Sequence, residues 1–373
     1  MTTVGVVGAS ARAAVHALTR AGFSAWAVDQ FNDRDLKRIA ACALCPSNDY
    51  PTAIPELAAL FPPGPFIYTG GLENHPDIVS ELSQTRELWG NPPEVLTRVR
   101  DPIQLTAMLN DAGFATPRAA TQPVEGRWLR KPLSSGSGIG IRFAQPGEPD
   151  SPRHYIQEFI EGVPMSAIYS GTTFIGVTEQ LIGEPWLHAL PFAYCGNIGP
   201  VATPPGALNT LADSLGLRGV WGLDFILKGD APYPVELNPR YTAAVEVLEH
   251  ATGKNLPPRP PVLQGGGSLN SSPLPEARGA GGVGSSRVIG KAVYYAPRAM
   301  TFPQSGPWDA DLTGTFDPWR LPGFADIPDA GNAVQTGWPV LTFFATGNTP
   351  TEVRERLQSR ATELDRLFAE HSR

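Results

Sequence analysis

Two strand-like runs, VWGLDFILK (220–228) and PYPVELN (232–238), are separated by a short turn built on Gly229 and Asp230. A turn centred near Asp230 pairs the runs antiparallel and sets Asp224 opposite Glu236 on one face. Asn238, two residues beyond Glu236, projects from the same face. Three oxygen-bearing side chains then converge. Carboxylates this close raise one another's pKa unless a cation lies between them. The expected cation is Mg²⁺, with Mn²⁺ as the alternative, because such an ion takes one or two carboxylates, an amide, waters and the phosphates of a nucleotide. Arg240, just past Pro239, stands where it could clamp a phosphoryl group. The competing reading is a salt-bridged surface hairpin.

The rest of the chain gives this hairpin a setting. TVGVVGA, ARAAVHALTRAG and SAWAVDQF read as strand, helix and strand, and FIYTG as a buried strand before a helix in HPDIVSELSQTREL. Residues 1–95 are therefore expected to form a Rossmann-like open parallel sheet. From Pro117 the texture shifts to paired strands, with RWLRKPL and GIGIRFA flanking a glycine-serine loop and HYIQEFI and SAIYSGTTFIGVTEQL following as further antiparallel strands. A helix over LNTLADSLGL precedes the acidic hairpin, which makes residues 96–255 an α+β unit. Residues 256–286 are so rich in Pro, Gly and Ser that a flexible linker is expected. Residues 287–373 form a strand-rich segment closed by a helix, with Thr349, Pro350 and Glu352 as its start signals and Val353, Leu357, Ala361, Leu364 and Phe368 as its apolar face.

Composition excludes several classes. A net charge of −7 opposes a nucleic-acid binder, which needs a basic face. No run of about 18 apolar residues spans a bilayer, and Gly5, Gly8 and Arg12 interrupt any leader-like core at the N-terminus. A cytoplasmic protein with small-molecule partners is expected. Cys42, Cys45 and Cys195 form no disulfide framework, and CALC has no second pair for zinc. GVVGASAR (5–12), with Asp29 ending the next strand, lacks the third glycine of a dinucleotide fingerprint.

Three further stretches carry chemistry. GGLEN (70–74) lies at the carboxyl end of the first sheet, so Glu73 and Asn74 are candidates for substrate contact, or else for a loop and helix cap. In LRKPLSSGSGIGIR, Lys131 ends a strand, and the loop Ser134, Ser135, Gly136, Ser137, Gly138 to Gly140 offers backbone N–H groups that can close over phosphates. The lysine precedes the glycines, which separates this loop from a P-loop. IQEFIEG presents Gln157, Glu158, Phe159, Ile160 and Glu161 directly after it, where purine and ribose contacts fit.

The order of these pieces resembles the ATP-grasp superfamily, and within it the predicted ATP-dependent carboligases related to biotin carboxylase. KPLSSGSGIG and ELNPR carry the resemblance most specifically, and it covers residues 1–255 and more weakly the tail. It implies the ATP-grasp fold, α/β and α+β, with a Rossmann-like N-terminal domain and a small C-terminal β-rich subdomain. It implies that Lys131 and the loop from Ser134 hold ATP phosphates, that the residues from Gln157 to Glu161 meet adenine and ribose, that Asp224, Glu236 and Asn238 bind Mg²⁺, and that Arg240 steadies an acyl-phosphate transition state. The superfamily's earlier lysine is missing, since residues 38–130 contain none. Arg98 or Arg100 is the candidate replacement, with a different donor geometry.

The function expected is an ADP-forming ligase that activates a small-molecule carboxylate for attack by an amine, with a homodimer as one option for its assembly. The rival readings are a bicarbonate-using carboxylase of the same fold, a non-catalytic ATP-binding regulatory module and, against the failed fingerprint, a nicotinamide-linked oxidoreductase.

Overall fold

A computed structural model of the chain describes residues 2–121, 125–149, 151–203, 208, 215–256 and 287–370. The expected linker beyond Leu256 and most of the helix expected over LNTLADSLGL lie outside the described residues.

The chain opens with Thr3–Val7 (β1), Ser24–Asp29 (β2), Ala41–Leu44 (β3) and Phe66–Tyr68 (β4), in the order β3-β2-β1-β4. All three pairings are parallel, as the βαβ pattern requires. A Cβ on Gly5 would come within 2.2 Å of the Trp26 ring, so glycine lets β1 accept that indole beside it. Trp26 in turn stacks on Phe61 at 4.7 Å. Asp29 is fully buried and accepts the backbone N–H groups of Ala11, Phe31 and Asn32. Its carboxylate is committed to shaping the first turn, in keeping with the broken dinucleotide fingerprint.

A second sheet contains Ala119–Ala120 (β5), Trp128–Pro132 (β6), Arg142–Phe143 (β7) and His154–Glu158 (β8), in the order β5-β8-β6-β7. The strand expected over GIGIRFA shrinks to β7. Ser137, Gly138 and Gly140 take left-handed φ values of 55°, 74° and 80°, which end any extended run.

The central sheet has eight strands. Val163–Ser170 (β9), Thr173–Ile182 (β10), Tyr194–Val201 (β11), Val220–Lys228 (β12) and Ala231–Asn238 (β13) are continued by Val288–Tyr295 (β14), Phe324–Ala325 (β16) and Pro339–Gly347 (β18). Met300–Thr301 (β15) and Ala333–Val334 (β17) make a separate pair. The order is β13-β12-β9-β10-β11-β14-β18-β16, antiparallel throughout, so the C-terminal segment extends the central sheet through β14 on β11. The last helix, Pro350–Glu370, covers β14 and β18 with Val353, Leu357, Ala361, Leu364 and Phe368, each at most 3% exposed. Its start is fixed by Thr349 Oγ1, which accepts from the Glu352 N–H, while the Glu352 carboxylate accepts from the Asn348 N–H. Among the described residues, no helix is long and apolar enough to cross a membrane.

A buried ionic junction fastens these layers. Helix Ala243–Thr252, which follows the acidic hairpin, carries Glu246 and Glu249, both fully buried. Glu246 accepts from Arg12 through both oxygens and from Lys291 Nζ at 2.7 Å. Arg12 also reaches Asp326 at 2.9 Å. Glu249 accepts from Arg20, the Tyr241 hydroxyl and the Leu256 N–H. The helix that follows Arg240 is thereby tied to the first helix and to the C-terminal strands.

Candidate active site at the end of the acidic hairpin

The β12–β13 register places Asp224 directly opposite Glu236 and Gly222 opposite Asn238, with the irregularity falling after Asp224. Asn238 Nδ2 donates to Asp224 Oδ2 at 2.9 Å. Burial, and then the Glu236 charge, push the Asp224 carboxyl up to about 6. Burial acts to raise Glu236 as well, but Arg100, Lys131 and Arg240 outweigh it and hold that carboxyl below its ordinary range. Two facing carboxylates beside an amide, one of them short of positive charge, are a donor set that a hard divalent cation completes with waters and phosphate oxygens. No cluster of three or more His, Cys, Asp or Glu side chains suited to a metal occurs among the described residues.

The corner that follows is built from outside the hairpin. Pro239 O accepts from Asn91 Nδ2 at 2.9 Å and from the Tyr68 hydroxyl at 3.2 Å, and Asn91, fully buried, also accepts from the Arg218 N–H. Arg240 leaves this corner toward Glu73, with Nε and Nη2 at 2.8 and 2.7 Å from Oε1, and donates to Asn238 Oδ1 at 3.1 Å. Asn91 and Tyr68 escaped the sequence reading, and the NPP at 91–93 was the signal available for the first.

Lys131 and Tyr155 are cross-strand partners on β6 and β8. Lys131 is 9% exposed, and its ammonium lies 5.7 Å from the Tyr155 ring centre and donates to Gln157 Oε1 at 3.2 Å. Burial acts to lower its pKa, yet Tyr155 and Glu236 more than compensate, so it stays charged. Arg100, at the end of helix Pro93–Arg100, donates to Glu236 Oε1 at 2.6 Å, Asn74 Oδ1 at 3.0 Å and Ser135 O at 3.3 Å. Arg98 turns away to Leu215 O.

The glycine loop is seated in this arrangement. Ser135 O also accepts from Asn74 Nδ2, and Ser137 O accepts from the Tyr194 N–H at 2.9 Å. A Cβ on Gly138 would lie 1.9 Å from Phe192 O, so only glycine allows this approach. Beneath the loop, Lys131, Gln157 and Glu236 face Val99, Leu105, Leu109 and Ile141 across a narrow pocket. It adjoins a cleft of about 500 Å³ whose walls include Glu73, Asn74, Arg100, Ser134 and Tyr155.

The structure thus brings together Glu73, Asn74, Arg100, Lys131, Ser134, Ser135, Gly136, Gly138, Gln157, Asp224, Glu236, Asn238 and Arg240 around one loop and one hairpin. Glu158 is turned outward, where Arg118 Nε donates to it at 3.0 Å. Phe159, Ile160 and Glu161 do not line either hollow. Burial pushes the Cys42 thiol up to about 11 and Cys195 up to about 12, away from the thiolate form, and Cys45 is raised by the same cause.

Residues 99–244, which hold the glycine loop, Asp224 and ELNPR, match the ATP-grasp domain. An uncharacterized protein of Methanocaldococcus jannaschii is 25% identical over 189 residues, 45% of this chain and 47% of that protein. The chain spans about half the length of that curated relative. Among solved structures, the L-amino acid ligase from Bacillus licheniformis superposes with a TM-score of 0.64 at 13% identity, over 97% of each chain. The biotin carboxylase domain of the Hydrogenobacter thermophilus 2-oxoglutarate carboxylase, in complex with MgADP and bicarbonate, gives 0.64 at 15% identity, over 96% of this chain and 89% of that one. The chain carries an ATP-grasp domain, and its fold is the ATP-grasp fold.

Proposed function

We propose that this ATP-grasp chain is an ADP-forming, Mg²⁺-dependent ligase that activates a small-molecule carboxylate as an acyl phosphate for attack by an amine. The observation that carries the reading is that Lys131, Arg100 and Glu236 line one pocket beneath a glycine loop, while Asp224 stands opposite Glu236 in the hairpin and Asn238 links Asp224 to Arg240.

Lys131 and the backbone N–H groups of the loop from Ser134 would hold the phosphates, and Arg100 would take the place of the missing lysine. Its contacts to Glu236 and Ser135 support Arg100 over Arg98 in that part. Asp224, Glu236 and Asn238 would hold Mg²⁺, which supplies charge neutralisation at the phosphate oxygens. Arg240 would neutralise charge developing on the transferring phosphoryl group. The loop, already held by Asn74, Arg100 and Tyr194, would exclude water from the reactive intermediate. Val99, Leu105, Leu109 and Ile141 give the pocket under the loop an apolar wall, and its volume of about 50 Å³ means that a purine enters only if the loop opens.

A bicarbonate-using carboxylase is the second reading, favoured by the similarity to the biotin carboxylase domain. A coupled assay of ADP release separates the two. The ligase reading expects release that requires both a carboxylate and an amine, and release driven by bicarbonate without an amine contradicts it.

A further inference from the structure

We propose that Asp33, buried where the first sheet meets the C-terminal segment, carries a proton in the folded chain and acts as a pH-sensitive clamp on the turn at Asp326. That turn is grasped by the opening of the short helix Arg34–Lys37. Asp35 accepts the N–H groups of Asp326 and Ile327, both at 3.0 Å. The Arg34 N–H donates to Ile327 O at 2.8 Å, and Lys37 Nζ reaches Asp329 at 2.6 Å. Asp326 takes a left-handed φ of 52° and accepts from Arg12 at 2.9 and 3.2 Å. Asp33 stands at the start of this helix and makes none of these bonds. It is 3% exposed, its side chain does not cap the helix, and its Oδ2 has no donor among the described residues.

The charges around Asp33 oppose an ion there. Asp326, Asp35 and Asp29 act on it as like charges, and Arg12, the cation that opposes them, is already engaged by Glu246 and Asp326. Lys291, behind Arg12, is held by Glu246. On the helix side, Lys37 ends on Asp329 and Arg38 on the carbonyls of Asp311 and Gly314. Arg34 Nη1 is buried without an acceptor, so the guanidinium next in sequence does not serve Asp33 either. Cys42, which feels the Asp33 charge from β3, is pushed up to about 11 by burial and supplies no cation. A buried carboxylate with neither donor nor cation is far costlier than its neutral acid. Burial first, and then the three acids, push its carboxyl well above the ordinary 3.8. As a neutral acid Asp33 becomes a donor, and the carboxylate whose charge acts on it most strongly is Asp326. One proton shared by two carboxyls then joins the helix to the turn, and its loss sets two like charges against each other at that joint.

The sign of the pH effect follows. The unfolded carboxyl ionises near 3.8, so between that value and its raised folded value the native chain holds a proton that the unfolded chain has released. Stability therefore falls as pH rises through this window. Asp35 rises to about 6 in the same corner, but it is present in both proteins compared below and largely cancels from their ratio.

The test is urea unfolding of the full chain and of Asp33→Asn between about pH 5 and 8 at fixed ionic strength. Asparagine keeps the shape of the neutral acid and cannot ionise. The wild-type unfolding constant should rise relative to that of the variant by up to about tenfold per pH unit, and at neutral pH the variant should be the more stable protein by at least about tenfold. An infrared spectrum of the wild type at neutral pH should show the carbonyl band of a protonated carboxyl, diminished in Asp33→Asn. A ratio that does not change with pH overturns the proposal, as does a variant that is less stable throughout or fails to fold. A wild-type spectrum without that band overturns it independently of any variant.

Discussion

At the junction around Glu246 and Glu249, the oxygens of both carboxylates have donors, and Arg12 and Lys291 each end on an acid. In the cleft around Glu236 the same residue types are left incomplete. Glu73 Oε2 has no donor among the described residues, Asp224 is pushed up to about 6, and the Glu236 side chain is 35% exposed with a single arginine contact. Composition does not separate the two clusters. Arg20 Nε at the junction also lacks a partner among the described residues, so what separates the clusters is that Glu73 and Glu236 line hollows, which favours a site there over a scaffold.

The comparison breaks most visibly at the junction. Glu246→Gln takes the charge that Arg12 and Lys291 share, and should lower the unfolding free energy in urea by about 3–5 kcal/mol. ADP release per folded molecule should change far less, and a loss of turnover without a loss of stability would reverse the roles of the two clusters. In the cleft, Lys131→Met should do the opposite. Its kcat should fall on the order of 10²–10³-fold, with stability lowered by no more than about 2 kcal/mol, because methionine keeps the buried apolar stem. Equal losses in both measurements would make Lys131 part of the scaffold.

Asp224 sharpens the contrast through pH. Its carboxyl rises from an ordinary 3.8 to about 6, so between those values the native state holds a proton that the unfolded chain has released. Its contribution to stability therefore falls as pH rises from 3.8 to about 6, while its strength as a cation donor grows. Affinity for MgADP should weaken by up to about tenfold per pH unit below that upper value, and Asp224→Asn should flatten the profile. A wild-type profile already flat there contradicts this part for Asp224. The smallest effect is expected at the outward pair of Arg118 and Glu158, where Arg118→Ala should change both stability and nucleotide affinity by less than about 1 kcal/mol. A larger change in affinity would return Glu158 to the nucleotide site.

Legibility in the sequence followed the range of the interactions. The facing of Asp224 and Glu236 was readable because a short turn fixes the register of a hairpin, and the glycine loop because its φ demands fall on adjacent residues. The outward turn of Glu158 was available from strand alternation alone. Gln157 faces Lys131 across β6 and β8, so its neighbour must face away. The junction was not readable. Arg12 meets Glu246 across 234 positions and Asp326 across 314, and nothing local to Arg12 names either partner. The Asn91 bridge to Pro239, 148 positions away, was hidden for the same reason.

The central claim is that the residues around Arg240 at the end of the acidic hairpin serve transfer of a phosphoryl group to a substrate carboxylate. It is tested most directly by turnover with a carboxylate substrate labelled with ¹⁸O in its carboxylate, in the presence of ATP, Mg²⁺ and an amine, with mass analysis of the released phosphate. The account predicts that each phosphate formed carries one labelled oxygen from the carboxylate. Turnover to ADP with unlabelled phosphate would contradict it.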